Sequence, residues 1–215
     1  MGLNGPDWGP ASKGPPAQLV VICHGVGANG ADLIGLAPAW AWRLPRAVFA
    51  APDAPEPHDT APMGRQWFSI ADRNPAKLSA GVRVAAGHLD RFLDAELARL
   101  SLSPDAYALV GFSQGAMTAL FTGLRRDVPP RGILAYSGAL LAPEALEAEL
   151  RNRAPVLLVH GEADDVVPAF RSREAERALR KAGIPVETLL LPGIGHWLDP
   201  AGLEAGLRFL GRVFS

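Results

Sequence analysis

The sequence holds a single cysteine, Cys23, among 215 residues, so it can form no internal disulfide and has no Cys-pair spacing of a zinc site. It has almost no net charge. Its 21 basic and 22 acidic residues leave −1, which withholds the basic field needed to bind nucleic acid or an anionic membrane. No apolar run reaches the roughly 18 to 20 residues needed to cross a bilayer, because Gly, Ser or Pro interrupts the longest candidates, and no stable membrane insertion is expected. The start lacks the basic-then-apolar pattern of a secretory signal, so with one thiol the expected location is cytoplasmic. H-E-x-x-H, C-x-x-C, P-loop and helix-opening G-x-G-x-x-G patterns are all missing, and neither a cofactor nor a metal is expected.

What is present is core material. Hydrophobic residues make up 48% and charged residues 20%, a globular composition, and the length suits one α/β domain. The 23 glycines and 20 prolines promise many turns. Residues 1–17 hold four of each without apolar periodicity and read as an irregular lead-in on the surface, leaving 18–215 as one catalytic domain.

From Gln18 onward, short β-branched or apolar runs recur at Gln18–Cys23, Ala47–Ala51, Tyr107–Phe112, Gly132–Tyr136, Val156–His160 and Val186–Leu191. Between them, Leu78, Val82, Ala85, Leu89, Phe92, Leu93, Leu97 and Leu100 recur at three and four, which predicts a long amphipathic helix opened by Asn74-Pro75 and stopped by Ser103-Pro104. Further helices are expected at 115–125, 143–152, 170–182 and 201–214. Strands alternating with helices predict a mostly parallel sheet of about six or seven strands, with helices on both faces. The aperiodic stretch from Pro52 to Pro75 reads as a long functional loop, or else as a surface excursion with Trp67 and Phe68 pinned into the core.

Gly111-Phe112-Ser113-Gln114-Gly115 matches G-x-S-x-G where a strand gives way to a helix. Such a turn lifts a serine oxygen above the sheet and needs glycine where the backbones come too close for a Cβ. A serine hydroxyl is a weak nucleophile and needs a base and a third group to orient that base. Candidates for both follow later strands. Glu162, Asp164 and Asp165 lie beyond one, and His196 lies beyond the last on a glycine-rich loop, in the order Ser, Asp, His. All fall at the carboxyl edge of the sheet, where open α/β sheets hold ligands. Spacing leaves the choice among the three acids open. Of the other histidines, His88 falls on the solvent side of the long helix, His160 suits a backbone hydrogen bond, and His58 could touch substrate. An oxyanion hole needs two N–H donors. Gln114 supplies one by following the nucleophile, and Val26, in the turn His24-Gly25-Val26-Gly27, is the candidate for the other. Cys23, at a strand end, reads as a small hydrophobe.

These residues resemble the phospholipase/carboxylesterase family of α/β-hydrolases, which includes the acyl-protein thioesterases. The resemblance spans nearly the whole chain from residue 18. It rests on 21-VICHGVG-27, 51-APDAP-55, 67-WFSI-70, 111-GFSQGA-116 and 160-HGEAD-164 with Val167-Pro168. It implies the α/β-hydrolase fold, Ser113 as nucleophile, Asp164 as orienting acid, His196 as base, and Val26 and Gln114 as oxyanion donors, and the stretch between Ser113 and Asp164, filled by a helix, a strand and another helix, leaves no room for a cap domain. It also implies that the Trp67 loop lines an acyl pocket, and Leu33, Trp67, Phe68 and Trp197 are the residues expected to shape the substrate site. The sequence departs from the family at Ser69, where an acidic residue is frequent, and in 1–17, where expected strands are weak or missing. The implied activity is hydrolysis of a small acyl ester or thioester through an acyl-enzyme, lost at acid pH as the base is protonated. A non-catalytic binding protein or an acyltransferase on the same scaffold is the alternative. The oligomeric state stays open.

Overall fold

Continuous apolar runs become strands buried on both sides because successive residues point to opposite faces of a sheet covered by helices. The computed structural model describes residues 2–215. In chain order the first elements are β1 (Asp7–Trp8), β2 (Gln18–Cys23), α1 (Gly30–Ile34), α2 (Leu36–Ala41) and β3 (Ala47–Ala50). The middle of the chain carries β4 (Glu56–Pro57), β5 (Arg65–Gln66), α3 (Pro75–Arg99), β6 (Tyr107–Phe112), α4 (Gln114–Gly123) and β7 (Ile133–Tyr136). After a 3-10 turn at Pro143–Ala145 come α5 (Leu146–Glu149), β8 (Val156–Gly161), α6 (Phe170–Lys181), β9 (Val186–Leu191) and α7 (Pro200–Val213).

Seven strands form one sheet in the order β1-β3-β2-β6-β7-β8-β9, parallel except for β1, which runs antiparallel to β3. The pleat divides β2 between two cores. Leu19, Val21 and Cys23 pack with α3, α4 and α6, whereas Val20 and Ile22 pack with α2 and α7. The long helix follows its predicted stripe, burying Val82, Ala85, Leu89, Leu93 and Leu97, with Asn74 capping Ala76 N–H and Pro75 in the first turn.

Several expectations are corrected. Part of the lead-in is a strand: Asp7 and Trp8 pair with Ala50 and Phe49, and Trp8 packs on the Phe49 ring. Met1 lies outside the described residues. The stretch 52–75 contains the small hairpin β4–β5. The helix expected over 143–152 is cut to one turn, because Asn152 Nδ2 donates to Gly123 O and Arg126 O and Arg151 N–H to Leu124 O, drawing the chain out of helical geometry to close the end of α4. The short helices α1 and α2 had no expectation at all.

Candidate active site

The turn from β6 to α4 puts Ser113 at φ 54°, ψ −118°, a left-handed, strained conformation held by its N–H donating to Tyr136 O at 2.9 Å. A Cβ on Gly111 would run into the backbone of Gly115 and Ala116, and one on Gly115 into the carbonyls of Cys23 and His24. Both glycines of the motif are therefore set by close backbone approach.

The turn after β9 carries His196, and the turn after β8 carries Asp164. His196 Nε2 lies 3.0 Å from Ser113 Oγ, and Nδ1 lies 2.7 Å from Asp164 Oδ2. A nitrogen facing a carboxylate carries the proton, so Nδ1 donates and Nε2 accepts from the serine hydroxyl. The imidazole packs on Phe112 with ring centroids 4.9 Å apart. The other oxygen of Asp164 accepts from Val166 N–H at 2.9 Å and Val167 N–H at 2.8 Å. Burial opposes its charge, but the hydrogen bonds from His196 and from these two amides prevail and hold the carboxyl below its ordinary range. The three acids left open by spacing separate clearly: Asp165 is exposed and Glu162 pairs with Arg173 at 2.9 Å, while Asp164 alone meets His196.

Gly25 stands beside Ser113, where an added Cβ would sit 3.3 Å from Ser113 Cβ. Neither Val26 N–H nor Gln114 N–H meets a backbone acceptor among the described residues. Gly27, at φ +81°, turns the chain, and its N–H donates to Arg65 O at 2.8 Å while Arg65 N–H returns to Ala28 O at 2.9 Å. The Arg65 guanidinium reaches Ala54 O and, at 2.7 Å, Pro55 O. The turn carrying Val26 is thus stitched to the hairpin.

Trp67 and Phe68 do not line a substrate surface. Trp67 is 0% and Phe68 2% exposed. The Gln114 side chain reaches over to them, accepting from Trp67 N–H at 2.8 Å and donating to Phe68 O at 2.6 Å, while the indole N–H donates to His24 O at 2.9 Å. The indole N–H meets His24 O only with the Trp67 ring turned inward, which is the core-pinning alternative. Leu33 is half-buried and packs partly against the core. Trp197 is 56% exposed next to His196 and is the one expected substrate residue with free ring surface. His58 accepts from Thr60 and Ala61 N–H through Nδ1 and lies against Gly27. His88 is half-buried and faces Arg91 at 3.2 Å.

Three buried side chains near the site had no role in the sequence reading. The Gln114 side chain ties the Trp67 segment to α4. His24 donates through Nδ1 to Gly25 O at 2.7 Å and accepts through Nε2 from Ala54 N–H at 2.9 Å, bracing the glycine turn. Ser172 bonds His160. For the first two the only trace was their place inside the quoted motifs, and Ser172 left none.

A profile of the phospholipase/carboxylesterase family matches residues 10–213. The chain belongs to that family. Acyl-protein thioesterase 1 of Saccharomyces cerevisiae is 31% identical over 216 residues, covering 94% of this chain and 95% of its own. Esterase YpfH of Escherichia coli is 26% identical, covering 91% of this chain and 83% of its own. Among solved structures, esterase PE8 is 41% identical with a TM-score of 0.94, covering 99% of this chain and all of its own. Acyl-protein thioesterase 2 of Zea mays, at 23% identity and a TM-score of 0.80, shares the fold. The fold is the α/β-hydrolase fold, and membership in the family makes the protein a hydrolase of ester bonds.

Proposed function

We propose that this family member cleaves carboxylic esters or thioesters of small acyl substrates through a Ser113-His196-Asp164 triad and an acyl-enzyme. The continuous hydrogen-bonded chain from Ser113 Oγ through His196 to Asp164, at 3.0 and 2.7 Å, carries the reading. Ser113 Oγ attacks the carbonyl carbon as His196 Nε2 takes the hydroxyl proton. Asp164 holds the imidazole by Nδ1 and stabilises its cation, while the Val26 and Gln114 amides receive the oxyanion. His196 then gives its proton to the departing alcohol or thiol, which leaves the acyl group on Ser113. Water, deprotonated by the same histidine, releases the acid and restores the serine. Trp197 offers apolar surface to the substrate beside His196.

The relatives named above span esterases and acyl-protein thioesterases, which supports a bond class rather than one substrate. A cytoplasmic setting fits the lone buried Cys23, whose thiol is pushed up by burial and stays protonated. Among the described residues no helix is long and apolar enough to cross a membrane. The near-neutral charge gives no purchase for nucleic acid.

Hydrolysis of p-nitrophenyl esters and acyl thioesters of increasing chain length, by the native protein and by Ser113→Ala, tests the reading. Native turnover with a burst of nitrophenol, and a loss of at least about a thousandfold in Ser113→Ala, is expected. Equal turnover by the two proteins would remove the triad from the chemistry. An added alcohol that diverts the acyl group without loss of rate would point instead to acyl transfer.

A further inference from the structure

The Asp164 carboxylate is gripped from two directions. On one side are the Val166 and Val167 amides. On the other is His160, fully buried near the end of β8, whose Nε2 lies 2.7 Å from Val167 O and 3.2 Å from Asp164 Oδ2. That oxygen is also the one that takes the Nδ1 proton of His196. A ring nitrogen facing a carbonyl and a carboxylate must carry hydrogen, so His160 Nδ1 is the acceptor. Ser172, buried on α6, donates to it at 2.7 Å. Val167 closes the arrangement, since its N–H bonds Asp164 Oδ1 while its C=O bonds His160.

We propose that His160, with its tautomer set by Val167 O and Asp164 and its Nδ1 held by Ser172, is a positioning residue of the hydrolytic site, fixing the Asp164 carboxylate and the turn behind it so that His196 faces Ser113. This inference rests on the triad reading given above. With the hydrogen on Nε2 the ring donates toward Val167 O and Asp164 and leaves Nδ1 to accept from the Ser172 hydroxyl. Burial lowers the readiness of His160 to protonate and outweighs the neighbouring Asp164 charge, with the Val167 bond acting the other way. The ionisable side chains acting on it are Asp164 and His196, and Ser172 on the facing helix is uncharged.

Glutamine at this position keeps a donor where methionine fills space without one. The full-length native protein, His160→Gln, His160→Met and Ser172→Ala are compared by Tm, by kcat and KM on a p-nitrophenyl ester, and by fluorophosphonate labelling of Ser113. In His160→Met, kcat is expected to fall roughly ten- to a hundredfold with KM unchanged, since the site binds substrate but holds its base off line. His160→Gln should recover most of that loss, and Ser172→Ala should lower kcat several-fold. A folded His160→Met with native kcat overturns the inference, as does a His160→Gln equally impaired at the same Tm. Should His160→Met fail to fold, Ser172→Ala decides, and native kcat there overturns the role. Labelling separates the two claims. A native protein that labels while the variants keep native kcat loses only the His160 role, and a native protein that does not label loses the triad and this role together.

Discussion

At the scale of single residues, Ser113 and Asp164, proposed to do the chemistry with His196, are held by neighbouring backbone: the Val166 and Val167 amides grip the Asp164 carboxylate, and Tyr136 O accepts the N–H of Ser113. Ser113 sits in a motif with its own geometry, and His196 stands alone after the last strand. Asp164 was separated from Asp165 only by resemblance, and the structure gives the physical ground: its side chain alone reaches both His196 and the turn amides. Trp67 reads two ways because an aromatic in an aperiodic loop looks the same in sequence whether it faces substrate or core, and the structure buries it. Its two N–H donors are matched to Gln114 and His24, which favours the core reading. Trp67→Phe strands His24 O and should cost about 1–3 kcal/mol by chemical denaturation while leaving acyl-chain preference unchanged. A shifted chain-length preference at native stability would restore the pocket role. Gln114→Ala keeps the backbone donor proposed for the oxyanion but leaves Trp67 N–H and Phe68 O without partners. The expected loss is about 1–3 kcal/mol for each stranded group, read from the same unfolding curves.

At the scale of elements, the 25-residue helix α3 is legible from a stripe sustained over several turns, and the six strands of four or more residues from continuous apolar runs bounded by turn residues. What escaped was short. β1 has two residues, α1 five and α2 six with Pro38 inside it, too few to show a period. These elements are specified by partners distant in sequence, as when Asp53 accepts Gly30 N–H at 2.8 Å and Pro6 O accepts Ala51 N–H at 2.9 Å. Removing residues 2–10 should therefore lower Tm by several degrees while Ser113 still labels, because β1 covers an edge remote from the triad in the strand order. An unchanged Tm would show that β1 adds nothing to the sheet. The junction of β6 and α4 is less forgiving. In Gly115→Ala the added methyl meets the carbonyls of Cys23 and His24, which are backbone and cannot rotate away. A loss of about 3 kcal/mol is expected, with activity falling further as Ser113 is displaced. A native Tm in that variant would contradict the close packing of α4 on β2.

At the scale of the molecule, two buried histidines couple stability to pH. Burial lowers the proton affinity of His24 and of His160 below the ordinary value of 6.5, so the unfolded chain binds protons that the folded chain refuses. Their contribution is complete above that value and falls progressively as pH drops below it toward the depressed folded-state values, and the depressed Asp164 carboxyl withdraws its own share as it protonates. Melting temperatures across a pH series should hold steady near neutrality and decline on the acid side of about 6.5. A flat profile down to the carboxylate range would contradict buried, neutral histidines. The same fold brings three loops from the ends of β6, β8 and β9 to one edge of the sheet, and on that convergence the proposed chemistry depends. Intact-mass analysis after fluorophosphonate treatment, followed by peptide mapping, tests it most directly. One adduct on Ser113 of the native protein, with none on His196→Ala, is the predicted result. A folded native protein that takes up no label, or one labelled on another serine, would contradict the triad.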